Sequence, residues 1–207
     1  MNINELPINI ETFITIKDCD TGEVLCQGSN AIHQENMSYA LASALARAQS
    51  SYISEIHFGS GAALIATDGT ITYRKPNVTG IDSDLYTPTY FKVVDEQDKN
   101  VSAGSSDSVR VEHVSGTNYS DTIVTVTLAT YEPLANDSTY NLFDQSLATL
   151  DGTIYDGEFE FNEIGLKSRG ETGLNTGKLL THFIFHPVQK NASQTIQIVY
   201  TLRVRAG

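Results

Sequence analysis

Asp20-Thr21-Gly22 is the first place in the sequence where residue types suggest chemistry, because this tripeptide carries the carboxylate of aspartic proteases. That reaction needs two carboxylates that share a proton in an apolar cleft, and therefore a second copy of the pattern or a dimer. Here the charged residues Lys17 and Glu23 lie on either side of the tripeptide. The pattern therefore predicts a solvated hairpin turn rather than a protease site.

His182 and His186 form the histidine pair whose spacing comes closest to that of metal ligands. On a strand, residues four apart share a face but lie about 13 Å from each other, which is too far for one ion. No third ligand is apparent beside them. Asp82-Ser83-Asp84 resembles the start of a calcium loop, but the remaining spacing is missing. We therefore expect no metal site.

Patterns for phosphate binding and nucleophilic catalysis are incomplete as well. Gly59-Ser60-Gly61 is not followed by the Gly-Lys-Ser/Thr of a phosphate-binding loop, and the sequence has no Gly-x-Ser-x-Gly elbow. The sequence therefore predicts no catalytic residue, no cofactor and no enzymatic activity.

The two cysteines, Cys19 and Cys26, flank the predicted turn. If Thr21 and Gly22 form the tip, Cys19 lies opposite Val24 and Cys26 lies opposite Lys17. The two sulfur atoms are then out of register for a cross-strand disulfide bond. We expect two free thiols, as is typical of a reducing compartment.

The charge of the 207-residue chain is unevenly distributed along it. The net charge is −12, but 167–207 contain six basic residues and one acidic residue, a net charge of +5, which leaves −17 for 1–166. An acidic surface argues against direct binding of nucleic acid. Arg203 and Arg205 are predicted to point outward from the last strand. They either line an ordinary solvated strand or contact the acidic part of a neighbouring copy.

The stretch NAIHQENMSYALASALARAQS, 30–50, is the clearest helix signal. Met37, Leu41 and Leu45 recur with Ala44 and Ala48 at helical spacing, and proline and glycine are absent. We predict one α-helix over about 34–48 whose stripe packs on a sheet, with Leu41 and Leu45 buried.

Most of the remaining sequence alternates between apolar and polar residues, as strands do. The last such stretch places Ile196, Ile198, Tyr200, Leu202 and Val204 on the face that is predicted to point inward. The predicted fold is mainly β: an antiparallel β-sandwich or open barrel with one packed helix and long loops, in a single domain over 1–207. The nine predicted strands are 10–17, 23–28, 52–59, 89–95, 108–114, 121–132, 157–168, 178–188 and 193–207.

The stretch 60–87 is a long, polar, turn-rich excursion between two predicted strands. Such excursions in a compact domain are often functional. We predict an arm that projects from the core and contacts other chains. Its candidate contact residues are Tyr73, Arg74, Lys75 and Tyr86.

The N-terminal stretch MNINELPINIETF has neither the basic region nor the apolar run of a signal peptide. No segment approaches the 18 apolar residues of a membrane span. We expect synthesis in the cytoplasm of the producing cell and no membrane partner.

Three long stretches resemble a family of uncharacterised virion structural proteins of tailed bacteriophages. They are GSNAIHQENMSYALASALARA, HFGSGAALIATDGTITYRKPNVTGIDSDLYTPTYFKVVD and FNEIGLKSRGETGLNTGKLLTHFIFHPVQKNASQTIQIVYTLRV. The resemblance spans most of the chain and implies a component of the virus particle, made in the cytoplasm of the host bacterium. It supplies no catalytic residues, and it leaves capsid surface, neck or collar, and tail or baseplate open as positions.

The sequence therefore predicts a multi-copy accessory or adaptor protein of the neck, tail, baseplate or capsid surface. Its expected partners are copies of itself and other virion structural proteins. One alternative is a fibre or receptor-binding module, in which Tyr73 and Tyr86 would stack on a host glycan. A hydrolase is the second and less favoured alternative.

Overall fold

The computed structural model of the protein describes residues 8–48, 51–94, 107–130, 132–133, 147–149, 158–171 and 175–207. These residues form thirteen strands and one α-helix. The first strands and the helix are β1 (Ile8–Asp18), β2 (Val24–Gly28), β3 (Ala31–Ile32), α1 (Gln34–Leu45), β4 (Ile53–Gly59), β5 (Ala63–Ile65) and β6 (Ile71–Tyr73). The others are β7 (Pro88–Val93), β8 (Ser108–His113), β9 (Tyr119–Leu128), β10 (Leu147–Thr149), β11 (Glu158–Ser168), β12 (Leu179–Asn191) and β13 (Ile196–Ala206).

The strands form two large antiparallel sheets that pack face to face. The five-stranded sheet has the order β2-β1-β13-β9-β8, and the six-stranded sheet has the order β10-β7-β4-β11-β12-β3. A separate hairpin consists of β5 and β6. This arrangement confirms the prediction of a mainly β, antiparallel, sandwich-like fold with one helix, and the described strands do not close into a barrel.

The core lies between the two sheets and is built from apolar residues of both. On β13, four of the five residues predicted to face inward are at most 4% exposed: Ile196, Ile198, Tyr200 and Leu202. The fifth, Val204, is only half-buried. The Tyr200 hydroxyl donates a hydrogen bond of 2.7 Å to Thr181 of the opposite sheet, so this buried polar group is satisfied. Aromatic rings of the six-stranded sheet lie in the core, where Phe58 and Phe161 meet edge to face with centroids 5.4 Å apart.

Helix α1 packs through a different face from the one predicted. Leu41 is 37% exposed and Leu45 is 90% exposed, so the prediction that both are buried is wrong. The buried residues are Asn36, Met37, Ala40 and Ser43. Asn36 sets this rotation, because its side-chain amide donates to the carbonyl of Leu179 on β12 at 2.9 Å in a buried position.

Both ends of the helix have clear structural causes. At the start, His33 Nδ1 accepts a hydrogen bond from the Asn36 amide, while His33 Nε2 lies 2.9 Å from the Gly80 carbonyl. This is side-chain capping by a histidine. At the other end, Arg47 has a φ of 59°, a left-handed conformation that stops the helix. The helix therefore ends at Leu45, before the predicted end near 48.

The turn after β1 contains the Asp-Thr-Gly tripeptide, as predicted. The Asp18 carboxylate accepts hydrogen bonds of 2.8 Å from the amides of Asp20 and Thr21, and Gly22 supplies a φ of 74°. The predicted register is wrong, because the ladder shifts between Ile16 and Lys17. Ile16 lies opposite Cys26, and Lys17 lies opposite Val24. Both cysteines, Cys19 and Cys26, are free.

Candidate functional site

The six-stranded sheet carries buried ionisable side chains on the face that points away from the core. Ile164 and Leu166 of β11 belong to the core, so Glu163, Gly165 and Lys167 point the other way. Gly165 lies between His182 on β12 and His57 on β4 in the strand register. We call this set the polar layer; its members are at most 3% exposed and are Glu55, His57, Glu163, Lys167 and His182.

Glu163 fastens both ends of the segment 60–87 to the sheet. Its carboxylate accepts hydrogen bonds from the amides of Gly61 at 3.0 Å, Tyr86 at 3.0 Å and Thr87 at 2.9 Å, and from His182 at 3.0 Å. Burial alone would raise the pKa of Glu163, but these donors outweigh it and hold the pKa below its usual range. Glu163 is therefore a buried carboxylate whose oxygens are all engaged by the protein.

His182 is engaged at both ring nitrogens. Its Nδ1 accepts a hydrogen bond of 2.9 Å from the Asn77 amide, so the ring proton lies on Nε2 and is donated to Glu163. The ring of Tyr86 lies against it, with centroids 5.8 Å apart. His182 thus holds the middle of the segment 60–87 and has no free nitrogen for a metal ion or a substrate.

Two lysines of the basic C-terminal part form ion pairs with aspartates of the segment 60–87. Lys167 Nζ lies 2.6 Å from the Asp84 carboxylate, and the lysine is buried. Lys178 lies 2.6 Å from Asp82 at a far more exposed position. The Asp82-Ser83-Asp84 pattern therefore supplies counter-ions for lysines. Part of the charge asymmetry seen in the sequence is neutralised within one chain.

His57 and Glu55 form the second pair of the polar layer. His57 Nε2 lies 2.7 Å from Glu55, whose carboxylate also accepts the amide of Asn175. The His57 ring stacks on Phe91 with centroids 5.1 Å apart. Burial lowers the pKa of His57 despite the nearby carboxylate. Its Nδ1 has no hydrogen-bond partner among the described residues.

Four of the six residues predicted as partner contacts come together on the segment 60–87. The Arg74 guanidinium lies 4.7 Å above the ring of Tyr86, whose hydroxyl donates to the Lys75 carbonyl at 2.6 Å. The Tyr73 hydroxyl lies 3.1 Å from Nδ1 of His186, and Tyr73 is 46% exposed. Arg74 therefore covers the Tyr86 face on which a sugar would have to stack, while Tyr73 remains accessible.

Arg203 and Arg205 lie on the other sheet, away from this cluster. Arg203 makes two hydrogen bonds of 2.8 Å to Asp121, the residue directly opposite it on β9, and this contact lowers the pKa of Asp121. Arg205 lies 3.8 Å from Glu11 on β1. Both arginines therefore have an acidic partner within the chain. Their role as contacts to another chain stays a prediction.

The segment 60–87 is tied to the sheet along much of its length, and its most exposed part is the β5–β6 hairpin. Leu64 is 51% exposed and Ile65 is 60% exposed, whereas Ala62 and Leu85 are buried. The prediction of an arm that projects along its whole length therefore needs refinement. The hairpin is the part that the structure places at the surface, and whether it contacts another chain stays a prediction.

An apolar groove lies between α1 and the five-stranded sheet. Its volume is about 380 Å³, and the residues lining it include no charged side chain. Met37 and Leu41 of the helix form one wall, and Val111 and Val204 of the sheet form the other. A second cavity of about 560 Å³ adjoins it and shares Met37 and Leu41. The groove exists because α1 turns its leucines away from the core.

Sequence reasoning identified neither the polar layer nor the groove. In the polar layer, hydrogen bonds join residues about a hundred positions apart, such as Gly61 and Glu163, so no local pattern reports them. In the part of the chain that the structure describes, no group of three or more His, Cys, Asp or Glu residues could hold a metal ion. None of the described helices is long and apolar enough to cross a membrane.

No family model matches the chain, and neither the curated proteins nor the solved structures contain a match to it.

Proposed function

We propose that the protein is a non-enzymatic structural component of a tailed-phage virion. In this proposal it is an accessory or adaptor protein present in several copies at the neck, the tail or baseplate, or the capsid surface. It is made in the cytoplasm of the host bacterium, and its partners are copies of itself and other virion structural proteins. The resemblance of three long stretches of the sequence to virion proteins of tailed phages supports this proposal.

The observation that carries the proposal is the attachment of the segment 60–87 to the polar layer. Glu163, His182 and Lys167 bind this segment through buried hydrogen bonds and an ion pair. Segments that a rigid scaffold holds at the surface are typical binding elements. The effect here is to hold the β5–β6 hairpin, with its exposed Leu64 and Ile65, in one position on the sheet. Such a hairpin suits repeated contacts in an assembly.

The chemistry of the polar layer also favours a structural role over the hydrolase alternative. A general acid or base must reach the proton it transfers. Both nitrogens of His182 and both oxygens of Glu163 already bind protein groups. His57 keeps Nδ1 free but is completely buried. These groups are therefore arranged to hold the segment in place.

The test is incorporation into particles. In a phage whose own copy of the gene is interrupted, a plasmid supplies the wild-type chain, Ile65→Asp or Val114→Asp, and the protein in purified particles is counted by quantitative mass spectrometry. Ile65 and Val114 are equally exposed, at 60% and 61%, so Val114→Asp is the matched control. We expect the wild type and the control in a fixed copy number, and Ile65→Asp at less than about a tenth of it, since an aspartate in an apolar contact costs several kcal/mol.

Purified particles without the wild-type chain would overturn the proposal. Equal incorporation of all three proteins would show that the hairpin is not the contact. The glycan alternative is tested separately on a glycan array with the wild type and Tyr73→Ala. Specific binding that Tyr73→Ala abolishes would favour a receptor-binding module instead.

A further inference from the structure

We infer that the β5–β6 hairpin of one copy docks into the apolar groove beside α1 of a second copy. This inference rests on the proposed function, because it identifies one partner of the hairpin as the same chain. The two surfaces are separate on one molecule: no residue of the hairpin lines the groove. The contact therefore joins two different surfaces.

The groove is an apolar surface that the described part of the chain leaves uncovered. Leu41 is 37% exposed, and Val111 is 71% exposed on the opposite wall. Leu45 continues the same helix face at 90% exposure. Neighbouring exposed apolar side chains of this kind mark interaction sites in soluble proteins. Because no charged group lines the groove, its occupant must itself be apolar.

The hairpin offers an apolar occupant of suitable shape. Leu64 and Ile65 are successive residues of β5, so their side chains point to opposite faces of the hairpin. Ile65 pairs with Ile71 across the hairpin, which makes its face apolar on both strands. A hairpin end with aliphatic side chains on both faces can contact the helix wall with one face and the sheet wall with the other.

The volume of the groove is sufficient for these side chains. A cavity of about 150 Å³ lined by aliphatic residues accommodates benzene, which has six carbon atoms. Leu64 and Ile65 together present eight side-chain carbon atoms, so the groove of about 380 Å³ can hold both.

Charges at the two surfaces are complementary. Asp68 lies at the exposed turn of the hairpin, and its side chain accepts hydrogen bonds from within the turn, among them the Thr70 amide at 2.9 Å. Arg47 follows the end of α1, three residues after Ala44 of the groove lining, and is exposed. Neither residue forms an ion pair within the described part of the chain. Opposite charges at the edge of an apolar contact mainly determine its register and its association rate.

A contact between two different surfaces leads to assemblies of many copies. Each copy at the edge of the assembly keeps one free hairpin or one free groove, so the contact closes into a ring or continues as a filament. The copy number then depends on the angle between neighbours, which fits a component present several times in a symmetric particle.

Site-directed cross-linking tests the contact directly. In a background with Cys19→Ser and Cys26→Ser, one protein carries Ile65→Cys and a second carries Leu41→Cys. The two are mixed under mild oxidation, and mixed disulfide dimers are identified by mass spectrometry. The control replaces the first protein with Val114→Cys, whose position is equally exposed but lies outside the hairpin and the groove lining. We expect at least about tenfold more mixed dimer from the Ile65→Cys pair, and equal yields would overturn the inference.

Charge exchange supplies a second test that does not depend on cysteine chemistry. Asp68→Arg and Arg47→Asp should each weaken self-association, measured by sedimentation velocity, by about threefold to tenfold, with unchanged circular dichroism. The variant with both substitutions should recover, because it restores opposite charges at the contact. Failure to recover would overturn the inference, as would a wild-type chain that stays monomeric at high concentration. A monomeric chain that still enters particles would leave the proposed function intact and identify a different virion protein as the partner.

Discussion

His182 donates its Nε2 proton to Glu163 across 3.0 Å, and both side chains are completely buried. The same carboxylate binds backbone amides from both ends of the segment 60–87, while the other nitrogen of His182 binds its middle. Two side chains on adjacent strands thus hold a segment that has little regular structure of its own. Replacing either Glu163 or His182 should therefore weaken the attachment of the segment 60–87 to the sheet.

Replacing Glu163 by Gln should destabilise the protein by about 2–4 kcal/mol. The glutamine amide group would face backbone N–H donors, and buried donors without an acceptor are costly. Glu160→Gln on the same strand is the control, because Glu160 is exposed. Chemical denaturation measures both variants. A loss of less than about 0.5 kcal/mol for Glu163→Gln would mean that the carboxylate does not hold the segment.

Hydrogen exchange should show which part of the structure Glu163→Gln destabilises. In Glu163→Gln, the amides of Gly61, Tyr86 and Thr87 lose a charged acceptor, so we expect them to exchange faster than in the wild type. Amides of the core strands should keep the protection that matches the global stability of the variant. Uniform loss of protection across all strands would instead indicate that the segment unfolds only with the whole domain.

His57 should make the stability of the fold sensitive to mildly acidic pH. Burial lowers its pKa in the folded state, so below about pH 6.5 the unfolded chain binds a proton that the folded chain does not. Stability is therefore fully present above that pH and falls as the pH decreases, by up to about 1.4 kcal/mol per pH unit for this group.

The corresponding variant is His57→Gln, which removes the titrating group. We expect its free energy of unfolding to fall less steeply than that of the wild type between about pH 6.5 and pH 5, measured by urea titration at each pH. Parallel curves for the two proteins would show that His57 does not contribute to the acid sensitivity.

Lys190 should weaken the fold at neutral pH. Its side chain is completely buried, and burial is the main cause that lowers its pKa to about 8, with Lys92 acting in the same direction and Glu132 opposing it. Because the unfolded lysine keeps its proton to about pH 10.4, stability should rise between about pH 8 and pH 10. Lys190→Met should therefore be more stable than the wild type at pH 7, by roughly 1–3 kcal/mol.

Thermal and urea unfolding of Lys190→Met at pH 7 and pH 9.5 test this account. The advantage of the variant should shrink at the higher pH, since the wild-type lysine is then neutral in the folded state. A variant that is less stable than the wild type at both values would show that the hydrogen bond from Lys190 to the Asn191 carbonyl outweighs the burial of charge.

Substitutions on helix α1 should distinguish its two faces. Met37→Ala should cost about 2–5 kcal/mol, because Met37 is 7% exposed and packs on the core. Leu45→Ala should change the stability of the isolated chain by less than about 0.5 kcal/mol, because Leu45 is 90% exposed. Denaturant titrations of dilute protein measure both, and a reversed order would contradict the rotation of the helix described above.

The sequence was a good guide wherever local periodicity determines the structure. The alternation on β13 predicted which residues face the core, and the helical spacing near Met37 predicted the single helix. The apolar spacing predicted the wrong buried face of the helix. The hydrogen bond between Asn36 and Leu179 determines how the helix is rotated about its axis, and it joins residues 143 positions apart, so no local pattern reveals it. That bond is more decisive here than the apolar stripe of Leu41 and Leu45.

The candidate site was less predictable than the fold. Alternation in β4 separates core residues such as Phe58 from polar ones, whereas in β11 a register shift between Phe161 and Glu163 interrupts the alternation. A polar face of this kind suggests contact with water. That face is instead covered, and Glu55 and Glu163 are completely buried. A carboxylate on the outer face of a strand has the same local pattern whether water or a long segment lies over it. Only the three-dimensional arrangement separates these two cases.

The pairing of β1 with β13 determines when the fold can be completed. Ile8 lies opposite Ala206, and β13 is inserted between β1 and β9 in the five-stranded sheet. During synthesis, β1 and β9 therefore wait for the same late strand, and their apolar faces and open edges stay available to other chains until residues 196–206 emerge. Because such long-range pairing closes slowly, this half of the sandwich folds only after residues 196–206 have emerged. Before then, the unpaired edges of β1 and β9 are the places where two nascent copies could pair wrongly with each other.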